Sequence, residues 1–232
     1  METQLHDDRS VPELPSLDNL LAYVLQRLSD IDPELISDFD KIDPISRNHS
    51  IRVAYYAMRL IERRILQISD PVYERGFCVA SMFHDIGKNG SLNGRLFGSS
   101  GLLDYQQRAV VQTHVRLGVQ ALQHYNEWIA AKISAGHHEH QDNPYPRDGG
   151  PHISGSQNRR SDPLAEALGE CLAAIDQFDA VTDPARVYFS TVTPEAAQEE
   201  LASSAYFPNE MTQAIIRDLL NIYQEIQSVI AT

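Results

Sequence analysis

The sequence predicts an all-α protein. Apolar residues recur at helical spacing in most segments of the 232-residue chain, and no hairpin signal or alternating apolar and polar run predicts a strand. The hydrophobic content of 42% and the charged content of 22% are ordinary for a globular protein. A chain of this length suits one domain, or one domain with a short extension, and can bury a full core. We therefore expect a helical bundle.

The predicted elements follow, in chain order, from capping residues, prolines and apolar stripes. Residues 1–15 are interpreted as a flexible tail, because Pro12 and Pro15 oppose a helix before Ser16 offers a cap. Segments 89–101 and 141–161 are rich in loop-forming residues and are predicted as loops, the second one a surface loop or lid. The predicted helices are 16–30, 45–68, 71–84, 104–125 (a break near His114 left open), 126–136, 163–182, 194–203 and 209–230.

Charge and composition exclude several classes of function. The net charge of −13 argues against binding to a nucleic-acid polymer, which needs a basic surface to displace counterions. No segment approaches the ~20 apolar residues that span a bilayer, and the polar N-terminus resembles no targeting signal. Cys78 and Cys171 lack zinc spacing and are predicted to be buried free thiols in a reducing compartment. A cytoplasmic protein that does not bind membranes is the default expectation.

Histidines and aspartates concentrate at helix ends and within apolar helices. His84 and Asp85 end a predicted helix just before Gly87, and His137 and His138 follow Gly136. Neighbouring histidines on a helix point about 100° apart, so we expect this pair to reach two metals, or a metal and a substrate, rather than to share one ion. The other candidates lie on separate predicted helices: His49, His114, Asp176 and Asp179.

Buried carboxylates indicate a cation. Asp176 and Asp179 are three residues apart on one face of a mostly apolar helix, where burial is costly without a compensating charge. Arg52, one turn after His49, is predicted to pair locally with a carboxylate, with a substrate contact as the alternative. The several polar elements on separate helices indicate a metal site assembled inside a bundle.

The ordered pattern His…His-Asp…His…His-His…Asp resembles the HD superfamily of metal-dependent phosphohydrolases. The double histidine followed by Glu139 and Asp142 is more narrowly similar to the HD-GYP branch, the cyclic-di-GMP phosphodiesterases. The resemblance covers roughly residues 45–188. On this basis we divide the chain into the tail 1–15, a helical extension 16–44 and a catalytic domain 45–232. The leucine stripe of 16–30 favours core packing, with a dimer or partner-binding helix as the alternative.

The resemblance implies two metal positions. His49, His84, Asp85 and Asp176 would bind the first ion, and Asp85 would bridge to a second ion bound by His114, His137 and His138. Mixed imidazole and carboxylate ligands suit several transition metals; iron or manganese are favoured, with zinc, nickel and cobalt left open. The implied chemistry is attack on a phosphodiester by a metal-bridging hydroxide.

The resemblance also implies substrate contacts. Lys88, next to the metal site, would bind a phosphate oxygen or assist the leaving alkoxide, with a solvated loop lysine as the alternative. Arg186 would bind phosphate, unless it is a surface arginine. Tyr145 of the 141–161 loop is a further candidate for a substrate contact.

The sequence departs from the family pattern at two places that bear on function. Ile45 stands where trinuclear members have a metal-binding glutamate, so we expect a binuclear site. The usual HHExxDGxGYP stretch is one residue shorter in segment 137–146 and has lost both glycines, and Pro144 removes an amide donor. The loop must take a different path, which leaves the specificity for cyclic-di-GMP open.

The leading interpretation is a metal-dependent phosphodiesterase that hydrolyses a cyclic dinucleotide. The alternatives are an HD-type nucleotide phosphohydrolase, a mixed-valent di-iron oxygenase and a signalling module that binds a nucleotide without cleaving it. The expected partner is a small nucleotide, and a homodimer or a regulatory protein partner is left open.

Overall fold

Helices supply the regular secondary structure of this chain. The computed structural model describes residues 17–89, 104–141, 162–185 and 192–230. Within these ranges there is no strand, so the all-α prediction is confirmed. The helices are α1 (Asp18–Arg27), α2 (Pro33–Phe39), α3 (Pro44–Glu62), α4 (Pro71–Phe83), a 3₁₀ turn (Ile86–Lys88), α5 (Tyr105–His124), α6 (Trp128–Ser134), α7 (Pro163–Thr182), α8 (Pro194–Ser203) and α9 (Glu210–Ile230).

Five of these helices begin with the same local sequence feature, a capping residue followed by proline. A capping side chain accepts a hydrogen bond from a backbone N–H of the first turn, and proline follows it directly. The cap satisfies one of the unpaired N–H groups at the helix start, and proline has no N–H to satisfy. The capping residues are Asp32, Asp43, Asp70, Asp162 and Thr193.

Several predicted boundaries need correction. Helix α2 was not predicted, and α3 ends at Glu62 instead of Ile68 because the chain turns at Arg64, whose φ is 58°. Helix α5 is continuous through His114, so the break considered there does not occur. Helix α6 begins two residues late, after a turn at Asn126 with φ 63°, and ends at Ser134. Ser16 and the loop residues 90–101 and 142–161 lie outside the described residues.

The core forms around α3, α4 and α7. Helix α4 packs against α3, α6 and α7, and α7 also packs against α9. Large side chains without exposure fill the space between them, among them Tyr56, Phe77 and Phe178. The apolar faces of these three helices thus form a common core. The few polar side chains on the same faces are buried in that core as well.

The N-terminal helices join the same core. Leu20 and Val24 of α1 are buried against it, so the predicted core packing of this helix is confirmed. Phe39 of α2 meets the ring of Phe83 edge-on, with centroids 5.3 Å apart. The division into an extension (16–44) and a domain (45–232) stays a prediction.

Two further predictions concern membrane-spanning segments and the state of the cysteines. Within the described ranges, no helix combines the length and apolar character that crossing a membrane requires. Cys171 is buried and Cys78 partly buried, and both are free thiols. Burial raises the pKa of each thiol to about 12, which makes both unreactive at neutral pH.

The contact between Phe39 and Phe83 yields a stability prediction. Phe39→Ala should lower the free energy of unfolding by about 3–5 kcal/mol, because it leaves a cavity in a close-packed core. Val72→Ala, at a side chain that is 60% exposed, is the control and should change it by less than about 0.5 kcal/mol. Denaturant unfolding measures both. An equally small change for Phe39→Ala would show that α2 is not part of the core.

Candidate metal centre

The seven predicted ligand residues come together in the interior of the bundle. His49 lies on α3, His114 on α5 and Asp176 on α7, while the others follow the ends of α4 and α6. Their imidazole rings form a connected series, with centroids 5.4 Å apart for His49 and His84 and 5.1 Å apart for His84 and His137. His138 is partly exposed, and the other six residues are buried.

The potential ligand atoms form three overlapping groups. In each group, one ligand atom from every residue lies within 4.8 Å of the others. Because two residues, His84 and His137, each belong to two groups, the donor atoms form one continuous cluster. The groups are His49 with His84 and Asp85, His114 with His137 and His138, and His84 with His137 and Asp176.

A close backbone contact brings α5 to the His84-Asp85 turn. A Cβ atom on Gly87 would lie 2.0 Å from the carbonyl oxygen of His114 and 2.4 Å from the amide nitrogen of Gly118. Only glycine fits, and the contact leaves His114 Nε2 at 3.3 Å from Asp85 Oδ1. We predicted Gly87 as a helix breaker, but α4 already ends at Phe83 and Gly87 lies in the 3₁₀ turn.

Backbone carbonyls orient three of the histidines in the same way. Nδ1 of each ring lies within hydrogen-bond distance of the carbonyl oxygen three residues earlier: 3.1 Å for His84 to Ser81, 2.6 Å for His114 to Val111 and 2.5 Å for His137 to Ser134. A neutral imidazole that donates through Nδ1–H keeps the lone pair on Nε2. Each Nε2 is therefore available as a metal ligand.

The double histidine lies in a turn, not on a helix. Helix α6 ends at Ser134, and the rings of His137 and His138 lie 4.1 Å apart with an interplanar angle of 43°. We expected that adjacent histidines could not share one ion, which holds only for a helix. The expectation is wrong for this segment, because both rings group with His114. Gln177 of α7 holds the turn by donating from Nε2 to the carbonyl of His140 at 2.8 Å.

Carboxylates surround His49 on both sides. Its Nε2 lies 2.8 Å from Asp176 Oδ1, and its Nδ1 lies 2.7 Å from Asp179 Oδ2. Arg52 binds Asp179 through two hydrogen bonds of 2.8 Å and also reaches Asp183 at 2.5 Å, which confirms that it pairs with carboxylates. The shared helical face of Asp176 and Asp179 predicted their proximity, but not their common contact with His49.

Burial and charge act against each other on the two carboxylates of the cluster. Burial alone would raise the pKa of Asp85, but the neighbouring ammonium of Lys88 holds it well below its usual value. Burial likewise opposes ionisation of Asp176, but its hydrogen bond with His49 and the proximity of His84 lower its pKa. Both carboxylates are therefore ionised, which is the form that binds a metal.

Burial keeps two of the histidines neutral. It lowers the pKa of His114 to about 3 and that of His137 to about 4, so both imidazoles are unprotonated at neutral pH. A neutral ring can offer a lone pair to a cation.

The donor set fits divalent metal ions. Among the described residues, the buried atoms His84 Nε2, Asp85 Oδ1 and His137 Nε2 have no hydrogen-bond partner. Buried polar atoms are costly when left unsatisfied, and a cation among them would remove that cost. Nitrogen and oxygen donors together suit iron, manganese, zinc, nickel or cobalt, and do not select one of them.

The predicted substrate residues have different outcomes. Lys88 is buried and its ammonium group contacts Asp85, so it is not a solvated loop lysine. Arg186 and Tyr145 lie outside the described residues. Arg52 and Asp179 line a cavity of about 260 Å³. None of the seven ligand residues lines it, so it is no candidate for the substrate pocket.

The chain is similar to a characterised phosphodiesterase. It is 32% identical over 156 residues to the 3′3′-cGAMP-specific phosphodiesterase 2 of Vibrio cholerae serotype O1 (strain ATCC 39315 / El Tor Inaba N16961). The aligned part covers 66% of this chain and 27% of the relative, so the chain spans about a quarter of the relative's length. No family model matches the chain, and no solved structure matches it significantly.

The cluster predicts a measurable metal content. Elemental analysis of freshly purified protein should find about two transition-metal ions per chain, as a two-metal site requires. Asp85→Ala should lower this number to below about one, because Asp85 lies next to ligands of both ions. His124→Ala, which removes an exposed histidine outside the cluster, is the control and should leave it unchanged. A content near zero in the unmodified chain would refute the metal centre.

The contact at Gly87 yields a separate prediction. Gly87→Ala should displace α5, lower the free energy of unfolding by about 1–3 kcal/mol and reduce the metal content, because the new methyl group collides with backbone atoms. Gly136→Ala is a matched control, since a Cβ atom there would meet nothing closer than 3.9 Å. Thermal unfolding and elemental analysis test both variants. If Gly87→Ala binds metal as the control does, the close approach does not position His114.

Proposed function

We propose that this chain is a metal-dependent phosphodiesterase that hydrolyses a cyclic dinucleotide. The observation that carries the proposal is the position of the buried carboxylate of Asp85 next to two histidine groups. It belongs to the group of His49 and His84 and lies 3.3 Å from Nε2 of His114, a member of a second group. The similarity to a cyclic-dinucleotide phosphodiesterase supports the same class of substrate.

The finer assignment is to the HD-GYP-like branch with an altered loop. The double histidine and the acidic residues after it support this branch. Its resemblance favours cyclic-di-GMP, whereas the relative in Vibrio cholerae acts on 3′3′-cGAMP. Both are cyclic dinucleotides, so we propose the class and let a direct comparison decide between the two substrates.

We assign the ligands as the resemblance implies. His49, His84, Asp85 and Asp176 would bind one ion, and Asp85, His114, His137 and His138 the other. Ile45 offers no ligand atom, which supports two ions rather than three. When bound, the ions would supply Lewis-acid charge to a phosphodiester and lower the pKa of an attacking water molecule.

Lys88 is the proposed phosphate-binding and proton-donating residue. Its ammonium group contacts Asp85 in a buried environment, so a phosphate that reaches the metals would also reach this cation. The ammonium could then donate a hydrogen bond to a non-bridging phosphate oxygen and support the leaving alkoxide. Such a charge is worth more in a dry site than in water.

The alternatives use the same ligands and differ in their products. An HD-type nucleotide phosphohydrolase would release phosphate from mononucleotides, and a di-iron oxygenase would consume oxygen. A binding module would retain its nucleotide intact. The full set of ligand residues counts against the binding module, and the named activity of the relative favours hydrolysis of a phosphodiester.

A substrate digest tests the proposal. The metal-loaded protein is incubated with cyclic-di-GMP, 3′3′-cGAMP, a linear dinucleotide and a mononucleotide, and the products are separated by chromatography. At least one cyclic dinucleotide should be opened. Lys88→Ala should retain metal and lose about 100-fold in kcat, because it removes one charge that stabilises the transition state.

The digest also has outcomes that contradict the proposal. If the metal-loaded protein leaves both cyclic dinucleotides intact and cleaves the mononucleotide, the nucleotide phosphohydrolase is correct. Binding of a cyclic dinucleotide without cleavage would instead support the signalling module. Oxygen consumption with a hydroxylated substrate would support the oxygenase.

A further inference from the structure

We propose that Arg52 is a positioning residue for the first metal group, acting through Asp179 on His49. The inference rests on the proposed metal centre and adds a residue that binds neither metal nor substrate. It predicts that the two ions depend on different parts of the fold.

A chain of short contacts joins Arg52 to His49. His49 Nδ1 lies 2.7 Å from Asp179 Oδ2, and Arg52 donates from Nε to Asp179 Oδ1 and from Nη2 to Oδ2, each at 2.8 Å. His49 has no exposure and Asp179 is 2% exposed. The fork of the guanidinium fixes both oxygens of the carboxylate, and the carboxylate in turn fixes the plane of the imidazole ring.

The arrangement also selects the proton position on His49. Nε2 of His49 lies on the edge of the ring that points to the ligand cluster, 2.8 Å from Asp176 Oδ1. An imidazole that offers Nε2 to a cation must carry its proton on Nδ1, and Asp179 Oδ2 is the acceptor for that proton. Such carboxylate–histidine pairs fix the orientation of a metal ligand.

The histidines of the cluster are held in two different ways. His84, His114 and His137 use backbone carbonyls of their own segments, whereas His49 uses a side chain that is 130 residues away in sequence. A change at Arg52 therefore reaches His49 and leaves the carbonyl contacts of His114 and His137 intact. We therefore expect weaker binding of the first ion and unchanged binding of the second.

Arg52 also compensates a second carboxylate. Its Nη2 lies 2.5 Å from Asp183 Oδ2, at the end of α7, and Asp183 Oδ1 accepts a hydrogen bond from the amide of Ala185. Removal of the guanidinium would leave two carboxylates without their cation, and the chain could then fail to fold. The test therefore uses substitutions that keep size, and in one case charge.

The experiment compares Arg52→Lys and Asp179→Asn with the unmodified holoprotein. Lysine keeps the charge of Arg52 but cannot bind both oxygens in a fork, and asparagine keeps the shape of Asp179 without its charge. Each holoprotein is equilibrated with increasing chelator, and the ions retained per chain are counted. In both variants one ion should be released at a chelator concentration about 10–100-fold lower, while the other is released as in the unmodified protein.

Arg59→Lys is the matched control. Arg59 also lies on α3 and binds a carboxylate in a fork, that of Glu225 at 3.0 and 2.9 Å, but neither residue contacts a member of the ligand cluster. It should release both ions as the unmodified protein does. Thermal unfolding of all four proteins reports whether a substitution has only loosened the bundle.

The outcomes separate this inference from the proposed function. Three results would overturn the positioning role and leave the metal centre standing. The Arg52 and Asp179 variants could lose both ions equally easily, they could release both ions as the unmodified protein does, or Arg59→Lys could show the same selective loss. An unmodified protein without bound metal would overturn both.

Discussion

The buried carboxylate of Asp85 is the constraint on which the rest of the site depends. Its ionised form is costly in a protein interior, and the ammonium of Lys88, which contacts it, offsets that cost. Asp85 also lies 3.3 Å from Nε2 of His114, and this proximity exists only because α5 approaches the turn after α4. Gly87 permits that approach, which links a backbone contact to the chemistry of the site.

The surrounding scaffold supplies orientation by two different means. Backbone carbonyls direct the Nε2 atoms of three histidines to the interior, and those contacts form wherever the local helix or turn forms. His49 instead depends on Asp179 and therefore on the packing of α3 against α7. Local structure thus orients three histidines of the cluster, whereas tertiary packing orients His49.

The sequence predicted the helical class and most helices because proline and capping aspartates mark their starts. It also predicted the candidate ligands, because histidines and aspartates within apolar stripes are conspicuous. It did not predict α2, whose seven residues are too few for a clear apolar period, or the turn at His137, which propensity alone cannot distinguish from a helix. The contacts of Gly87 with α5 and of His49 with Asp179 join distant segments, and spacing within one helix carries no information on them.

The central claim is a pair of metal ions at Asp85, and anomalous X-ray diffraction from crystals of the metal-loaded protein tests it most directly. We expect two peaks, one bound by His49, His84, Asp85 and Asp176 and the other by Asp85, His114, His137 and His138. Their separation should be about 3.5–4 Å, as in other two-metal sites. A single peak away from Asp85, or none within the cluster, would contradict the account.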